Sequence, residues 1–207
     1  MFDVVVIGAG VVGGLVAREL SRYELSVCIL EKCSDVALGA TRANSAIVHA
    51  GYDAKEGSLK AKLNVLGSKM METVAEESVA EELGVKYKRN GSLVVGFNEE
   101  DRQTLLGLLE RGTKNGVEGL RVIDREEILS LEKNIGEGVT CALHAPTGAI
   151  ICPYELCMAF VGNAMDNGVS LKLDFDVKKI EKLNTGYRVI SENDMVEAKF
   201  VINCAGV

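Results

Sequence analysis

The chain has 207 residues, 47% hydrophobic and 26% charged, with two prolines; this excludes extended disorder and supports one sizeable core or two small ones, burying roughly 70% of the unfolded surface. A formal net charge of -7 with scattered Lys and Arg argues against a nucleic-acid surface, and no apolar stretch approaches the ~20 residues of a transmembrane span. Cys28, Cys33, Cys141, Cys152, Cys157 and Cys204 lack CxxC or finger spacing and His49 and His144 are the only histidines, so the thiols read as free and no metal site is expected.

Phe2 to Gly8 is a near-continuous apolar run that predicts a strand buried on both faces of a parallel sheet. No basic and apolar leader precedes it, which gives the expectation of a cytoplasmic protein. Gly8, Gly10 and Gly13 follow in Gly-x-Gly-x-x-Gly spacing, and Val12, Leu15, Val16 and Leu20 form the apolar stripe of a helix that ends near Ser21. Val27 to Leu30 predicts a second buried strand, with Glu31 at its tip, 18 positions beyond Gly13; the adenine-dinucleotide fingerprint places its acid roughly 20 residues on.

Each part has a chemical reason. Gly8 permits the tight turn, Gly10 lets the backbone approach a pyrophosphate, and Gly13 lets helix and strand pack closely. The helix N-terminus carries about half a positive charge and free N–H groups. Glu31 suits the ribose hydroxyls of an adenosine, whereas a 2′-phosphate would meet a like charge at roughly 4 kcal/mol for ~4 Å at an effective dielectric of about 20, which disfavours NADP. The plainer alternative is that these glycines merely close a strand-helix turn; strand, turn, helix, strand and acid occurring in order weigh against it.

Residues 33 to 57 form a long polar loop in which Thr41, Arg42, Asn44, Ser45 and His49 concentrate hydrogen-bonding groups. Ser58 caps a helix carrying Leu59, Leu63, Leu66, Met70 and Met71 and running to about Leu83. Its end contains the tandem VAEESVAEE at 74 to 82, read as a solvated acidic helix end or as a five-residue duplication that rotates the following face by ~140°. Asn90-Gly91 predicts a hairpin over Val85 to Phe97. Asn98 caps the next helix, with Leu105, Leu106, Leu108 and Leu109 on its apolar face. Asp124 and Glu127 suggest a capping box, and Val139 to Leu143 a strand. Pro153 opens a helix that runs to about Asn167 and closes at Gly168; strands are expected at Leu171 to Phe175, Val177 to Leu183, Tyr187 to Ile190 and Phe200 to Cys204.

The opening fingerprint, TRANSAIVHAGYDAKEGSLKAKL, PTGAIICPYEL and the closing VINCAG, in this order and over nearly the whole chain, resemble the D-amino-acid oxidase-like superfamily of FAD-dependent oxidoreductases. NSAIVHAG followed by GSLKAKL, together with KRNGSLVV, is most similar to the branch of L-2-hydroxyglutarate oxidases and bacterial glycerol-3-phosphate dehydrogenases. The resemblance implies an α/β fold: an FAD-binding Rossmann-like domain, 1–84 and 149–207, interrupted by part of an antiparallel α+β substrate domain at 85–148.

It also implies an FAD site. Gly8, Gly10, Gly13 and Glu31 fall on the ADP half, with Lys32 beside the ribose. Thr41, Asn44 and Ser45 match positions that approach the pyrophosphate, ribityl chain and flavin ring; Val177 matches a strand backbone that meets adenine, and Ala205 and Gly206 match small residues beside the pyrophosphate. In some distant relatives a histidine near His49 is joined covalently to the flavin, the alternative being a hydrogen-bonded loop histidine near the ring. Cys152 stands where an aspartate is most often expected, and is read as structural.

The implied reaction is oxidation of a secondary alcohol of a small anionic substrate by hydride transfer to flavin N5. Glycerol-3-phosphate is placed first, L-2-hydroxyglutarate second and an amine third, with a quinone, oxygen or a redox protein as electron acceptor. No catalytic base is assigned, although His49 qualifies if it lies within roughly 3 Å of the substrate hydroxyl. Peripheral membrane contact is compatible with the resemblance. The family continues well past Val207, so an N-terminal fragment is expected; a flavin-binding module without turnover and an NAD-dependent enzyme are the competing readings.

Overall fold

The apolar run at the amino end becomes β1 (Phe2–Ile7), and its side chains alternate between two cores: Val4 and Val6 face one, Val5 and Ile7 the other. A strand buried on both faces is what a parallel sheet covered on each side requires. The computed structural model describes residues 1–76 and 84–206. In chain order β1 is followed by α1 (Val11–Leu20), β2 (Val27–Leu30), a 3-10 turn (Ala40–Arg42), β3 (Ile47–Val48), α2 (Leu59–Glu76), β4 (Tyr87–Lys88), β5 (Ser92–Gly96), α3 (Glu99–Lys114) and β6 (Arg121–Asp124). Then come α4 (Arg125–Leu131), β7 (Cys141–Ala145), β8 (Ala149–Ile151), α5 (Pro153–Asp166), β9 (Ser170–Lys172), β10 (Lys179–Leu183), β11 (Gly186–Ile190) and β12 (Met195–Asn203).

The elements divide into two units. The first contains Met1–Ser45 and, of the described residues, 84–86 and 152–206. Its sheet runs β10-β11-β12-β1-β2-β9. β12, β1, β2 and β9 are mutually parallel, while β10 and β11 add to β12 as an antiparallel meander. Helices α1 and α5 cover one face, where Val4, Val6, Ile29, Ala17, Cys157 and Val161 pack together. On the opposite face Val5, Ile7, Cys28, Leu30, Val189 and Val196 form a second core. The expected α/β class is the one found.

The second unit is Ala46–Glu76 and Tyr87–Ile151. It holds two antiparallel three-stranded sheets, β3-β8-β4 and β5-β7-β6. Leu105 of α3 packs with Cys141 and Leu143, and Ile128 of α4 with Ile123 and Ala142. Residues 46–76 therefore group with the middle of the chain, not with the first segment as a boundary at 84 would have it. The cause is pairing and packing: Ile47 and Val48 ladder onto β8, and Val65 of α2 joins Ala50, Val117 and Ala145.

Several elements differ from the sequence expectation. Val85 to Phe97 is no hairpin: β4 pairs with β8, β5 pairs with β7, and the two strands lie in different sheets. Gly91 adopts φ +70 and donates its N–H to the Gly148 carbonyl at 2.9 Å, so the Asn90-Gly91 turn is tied to another turn and not to its own flanks. The strand from Leu171 stops at Lys172 because Asp174 takes φ +53, which drops Phe175 into the core. The next strand starts at Lys179 instead of Val177, and the last extends back to Met195. Asp124 caps α4 by accepting from the Glu127 N–H at 3.1 Å, but the Glu127 carboxylate pairs with Arg121, leaving the capping box half made.

Asn98 and Ser58 cap their helices as expected, accepting from Asp101 and Ala61 N–H at 2.9 and 3.2 Å. The packed face of α2 is Ala61, Val65 and Ser68, while Leu59, Leu63, Leu66 and Met70 remain exposed. Most of the tandem acidic repeat lies outside the described residues. All six cysteines are free, and burial pushes the Cys28 and Cys157 thiols up to about 11. Among the described residues no helix is long and apolar enough to cross a membrane, and no cluster of His, Cys, Asp and Glu could hold a metal ion.

Asp3 joins three neighbouring strands at the amino edge of this sheet. Its carboxylate accepts from the Lys199 ammonium at 2.6 Å and from the Ser26 N–H and hydroxyl at 2.9 and 2.7 Å. Lys199 first, then Ser26, hold the carboxyl well below the usual carboxylate range. A depressed value contributes stability that is present above the ordinary carboxylate pKa and is lost as pH falls through the lowered one. Asp3→Asn is expected to lower Tm at pH ~7, with the deficit relative to wild type shrinking as melts are taken down toward pH ~2.

Candidate functional site

The turn between β1 and α1 is built from contacts that only glycine permits. Gly8 has φ +101, and a Cβ there would lie 2.5 Å from the Cys204 carbonyl oxygen. A Cβ on Gly13 would overlap the Gly8 carbonyl oxygen, and one on Gly14 would press Val161 and Phe160 of α5 at 3.0 and 3.3 Å. Gly8 thus makes the tight turn, and Gly13 the close packing, expected of them. Gly10 has a second reason: its Cβ would lie 2.9 Å from Thr41 Oγ1, which accepts from the Val11 N–H at 3.0 Å. Gly10 is the N-cap of α1 without a side chain, and the Thr41 hydroxyl supplies the capping oxygen from thirty residues away.

Glu31 sits at the end of β2 with 9% of its surface exposed. Oε2 accepts from the Ala9 N–H at 2.7 Å and Oε1 from the Cys33 N–H at 3.0 Å. A buried carboxylate needs such partners. Each oxygen keeps a further lone pair for a diol. The first-turn amides of Val12 and Gly13 have no acceptor within α1, and no acid occupies that turn. An uncancelled helix N-terminus, a backbone approachable at Gly10 and an acid beside Ala9 together fit the ADP end of an FAD.

The other expected residues are placed as follows. Asn44 Nδ2 donates to the Ala40 and Thr41 carbonyls at 3.0 and 2.8 Å, fastening the 3-10 turn that presents Thr41. Ser45 and Lys32 are exposed. Ala205 and Gly206 follow Cys204, whose N–H donates to the Ile7 carbonyl at 2.8 Å, so this segment passes directly beside the Gly8 turn. Val177 is half-buried at the margin of the second core of the same unit. His49 belongs to the other unit; its ring is exposed and its carbonyl accepts from Asn64 Nδ2 at 2.7 Å. The structure brings Gly8, Gly10, Gly13, Glu31, Thr41 and Ala205 around one turn. Sequence reasoning missed Ala9, Ala37 and Cys157, which touch that turn through backbone and thiol groups that no motif marks.

A parallel-sheet unit with this turn defines a dinucleotide-binding flavoprotein, and similarity to known proteins agrees. The profile of the family DAO, FAD dependent oxidoreductase, matches residues 3–207, and the chain belongs to that family. It is 47% identical over 207 residues to a glycerol 3-phosphate dehydrogenase of Caloramator mitchellensis, covering 100% of this chain and 42% of that protein. It is 32% identical over 220 residues to the human mitochondrial L-2-hydroxyglutarate dehydrogenase, covering 100% and 46%. Its fold matches the dithionite-reduced L-alpha-glycerophosphate oxidase of Mycoplasma pneumoniae with FAD bound, at a TM-score of 0.88 and 31% identity, over 99% of this chain and 54% of that one. The chain spans about half the length of the curated relatives it matches.

Gly13→Ala forces a methyl into the Gly8 carbonyl and is expected to cost about 1–3 kcal/mol of stability. Gly10→Ala displaces the Thr41 hydroxyl that caps α1, so it should fold with a loss of about 1–2 kcal/mol and weaken FAD binding; urea melts and flavin-fluorescence titration read the two effects separately.

Proposed function

We propose that the first unit binds FAD and that the whole protein uses it to oxidise the secondary alcohol of a small anionic substrate, glycerol 3-phosphate. The observation that carries the reading is the glycine turn clamped to Glu31, in a chain 47% identical to a glycerol 3-phosphate dehydrogenase. In this reading Gly10, Val12 and Gly13 offer their amides to the pyrophosphate. Glu31 takes the adenosine ribose hydroxyls with Lys32 beside them, and the backbone at Val177 meets the adenine. Thr41, Asn44 and Ser45 line the way to the ribityl chain and ring, and Ala205 and Gly206 leave room beside the phosphates. Bound by these residues, FAD would supply a two-electron acceptor for the hydride of the alcohol carbon.

The second unit contributes part of the substrate domain. His49 is the candidate base for the hydroxyl proton, and its exposed imidazole has the nitrogen such a step needs. The similarity to L-2-hydroxyglutarate dehydrogenases supports a second reading with the same chemistry on a 2-hydroxy acid. A quinone, oxygen or a redox protein would serve as the final electron acceptor.

The test is anaerobic. Flavin absorbance of the whole protein is expected to bleach on adding glycerol 3-phosphate, and bleaching by L-2-hydroxyglutarate alone selects the second reading; no bleaching by either sinks both. His49→Gln is expected to retain FAD while slowing flavin reduction about 10²–10⁴-fold in stopped flow.

A further inference from the structure

Ala9, the one residue with a side chain inside the Gly-x-Gly step, is held from three directions. Its N–H donates to Glu31 Oε2 at 2.7 Å. Its carbonyl accepts from the Ala37 N–H at 3.0 Å and from Cys157 Sγ at 3.3 Å. Ala37 delivers that N–H from φ +61, a left-handed conformation that a residue with a Cβ adopts only under constraint. Cys157 is fully buried in α5, and burial pushes its thiol up to about 11, so it remains an S–H donor through the neutral range.

The peptide between Ala9 and Gly10 is planar and trans, so its carbonyl and its N–H point in opposite directions. Two donors drawing the Ala9 carbonyl into the core must turn the Gly10 N–H outward, to the side where a phosphate can reach it. We propose that Cys157 is a positioning residue for the dinucleotide turn: with Ala37 it fixes the Ala9 carbonyl and thereby aims the Gly10 amide, so the anion-binding conformation exists before the cofactor arrives. This rests on the FAD reading and adds to it a group from a distant helix that never touches the cofactor. Preorganisation of this kind raises affinity by removing the ordering cost at the moment of binding.

Cys157→Ala removes the donor and is expected to weaken ADP and FAD binding about three- to tenfold, the worth of one hydrogen bond. Cys157→Ser keeps a donor and is expected to stay within about twofold of wild type. A packing role alone follows side-chain volume and would treat Ala and Ser alike. Val161→Ala, on the same helix against Gly14 and with no hydrogen bond to the Ala9 carbonyl, is the control: its Tm falls while its ADP affinity holds. Hydrogen exchange of the Ala9 amide in ligand-free protein gives a readout without cofactor, with faster exchange expected in Cys157→Ala than in Cys157→Ser. Equal ADP affinity in wild type and Cys157→Ala, or a serine variant no better than the alanine one, overturns the proposal. Failure of wild type to bind either ADP or FAD overturns the FAD reading instead, and the Ala9 exchange rates then decide the clamp by themselves.

Discussion

The hydrogen bond from the Ala9 amide to the buried carboxylate of Glu31 joins the end of β1 to the end of β2, and most of the first unit is arranged around it. A carboxylate with so little exposure is tolerated only when its charge is met by donors, and here both donors are main-chain amides. The charge therefore fixes backbone: the Gly8 turn on one side, the Cys33 bend on the other. From the first follows the start of α1. From the second follows the polar loop that brings Ala37 and Thr41 back to the same turn. Glu31 is thus a strut of the turn in its own right.

The unit is assembled from stretches that the two segments of the second unit separate in sequence. Its sheet is complete only when β9 to β12 join β1 and β2, and its helical layer only when α5 lies along α1. Gly14 makes that helix pair close, because a side chain there would collide with Val161 and Phe160. Here the third glycine of the motif has a neighbour with a separate duty: Gly13 admits the strand and Gly14 admits the returning helix. The second unit meanwhile forms its own antiparallel sheets and cores.

Much of this architecture is legible in the amino-acid sequence. The β1, α1, β2 and Glu31 series carries its own periodicities, and two periods changing at a glycine turn leave few alternatives. The caps at Ser58 and Asn98 and the proline opening of α5 are equally local signals. What escapes is non-local. β3 and β8 have two and three residues, too short for any pattern, and exist because they pair with each other. Asn90-Gly91 has the local signature of a hairpin, but five residues of β5 find a better partner in β7. In the site, the glycines and Glu31 can be read from spacing, whereas Thr41 as a cap for Val11 and Cys157 as a donor to Ala9 depend on tertiary approach. Leu59, Leu63, Leu66 and Met70 carry a helical apolar rhythm that points away from the core of their own unit.

The position of β12 has a consequence for how the chain comes into being. β1 pairs on one edge with β2, a neighbour in sequence, and on the other with β12, so that Val4 lies opposite Val27 on one side and Phe200 on the other. During synthesis the first edge can close almost at once, while the second waits until the residues of β12 have been made. Loop-closure entropy and high contact order slow that last pairing. In the interval the strongly apolar strand Val4-Val5-Val6-Ile7 has a bare edge of unpaired amides and carbonyls, the kind of surface that recruits other nascent chains. The same two-sided burial that makes β1 the spine of the finished sheet makes it the segment most in need of shelter before the sheet is finished.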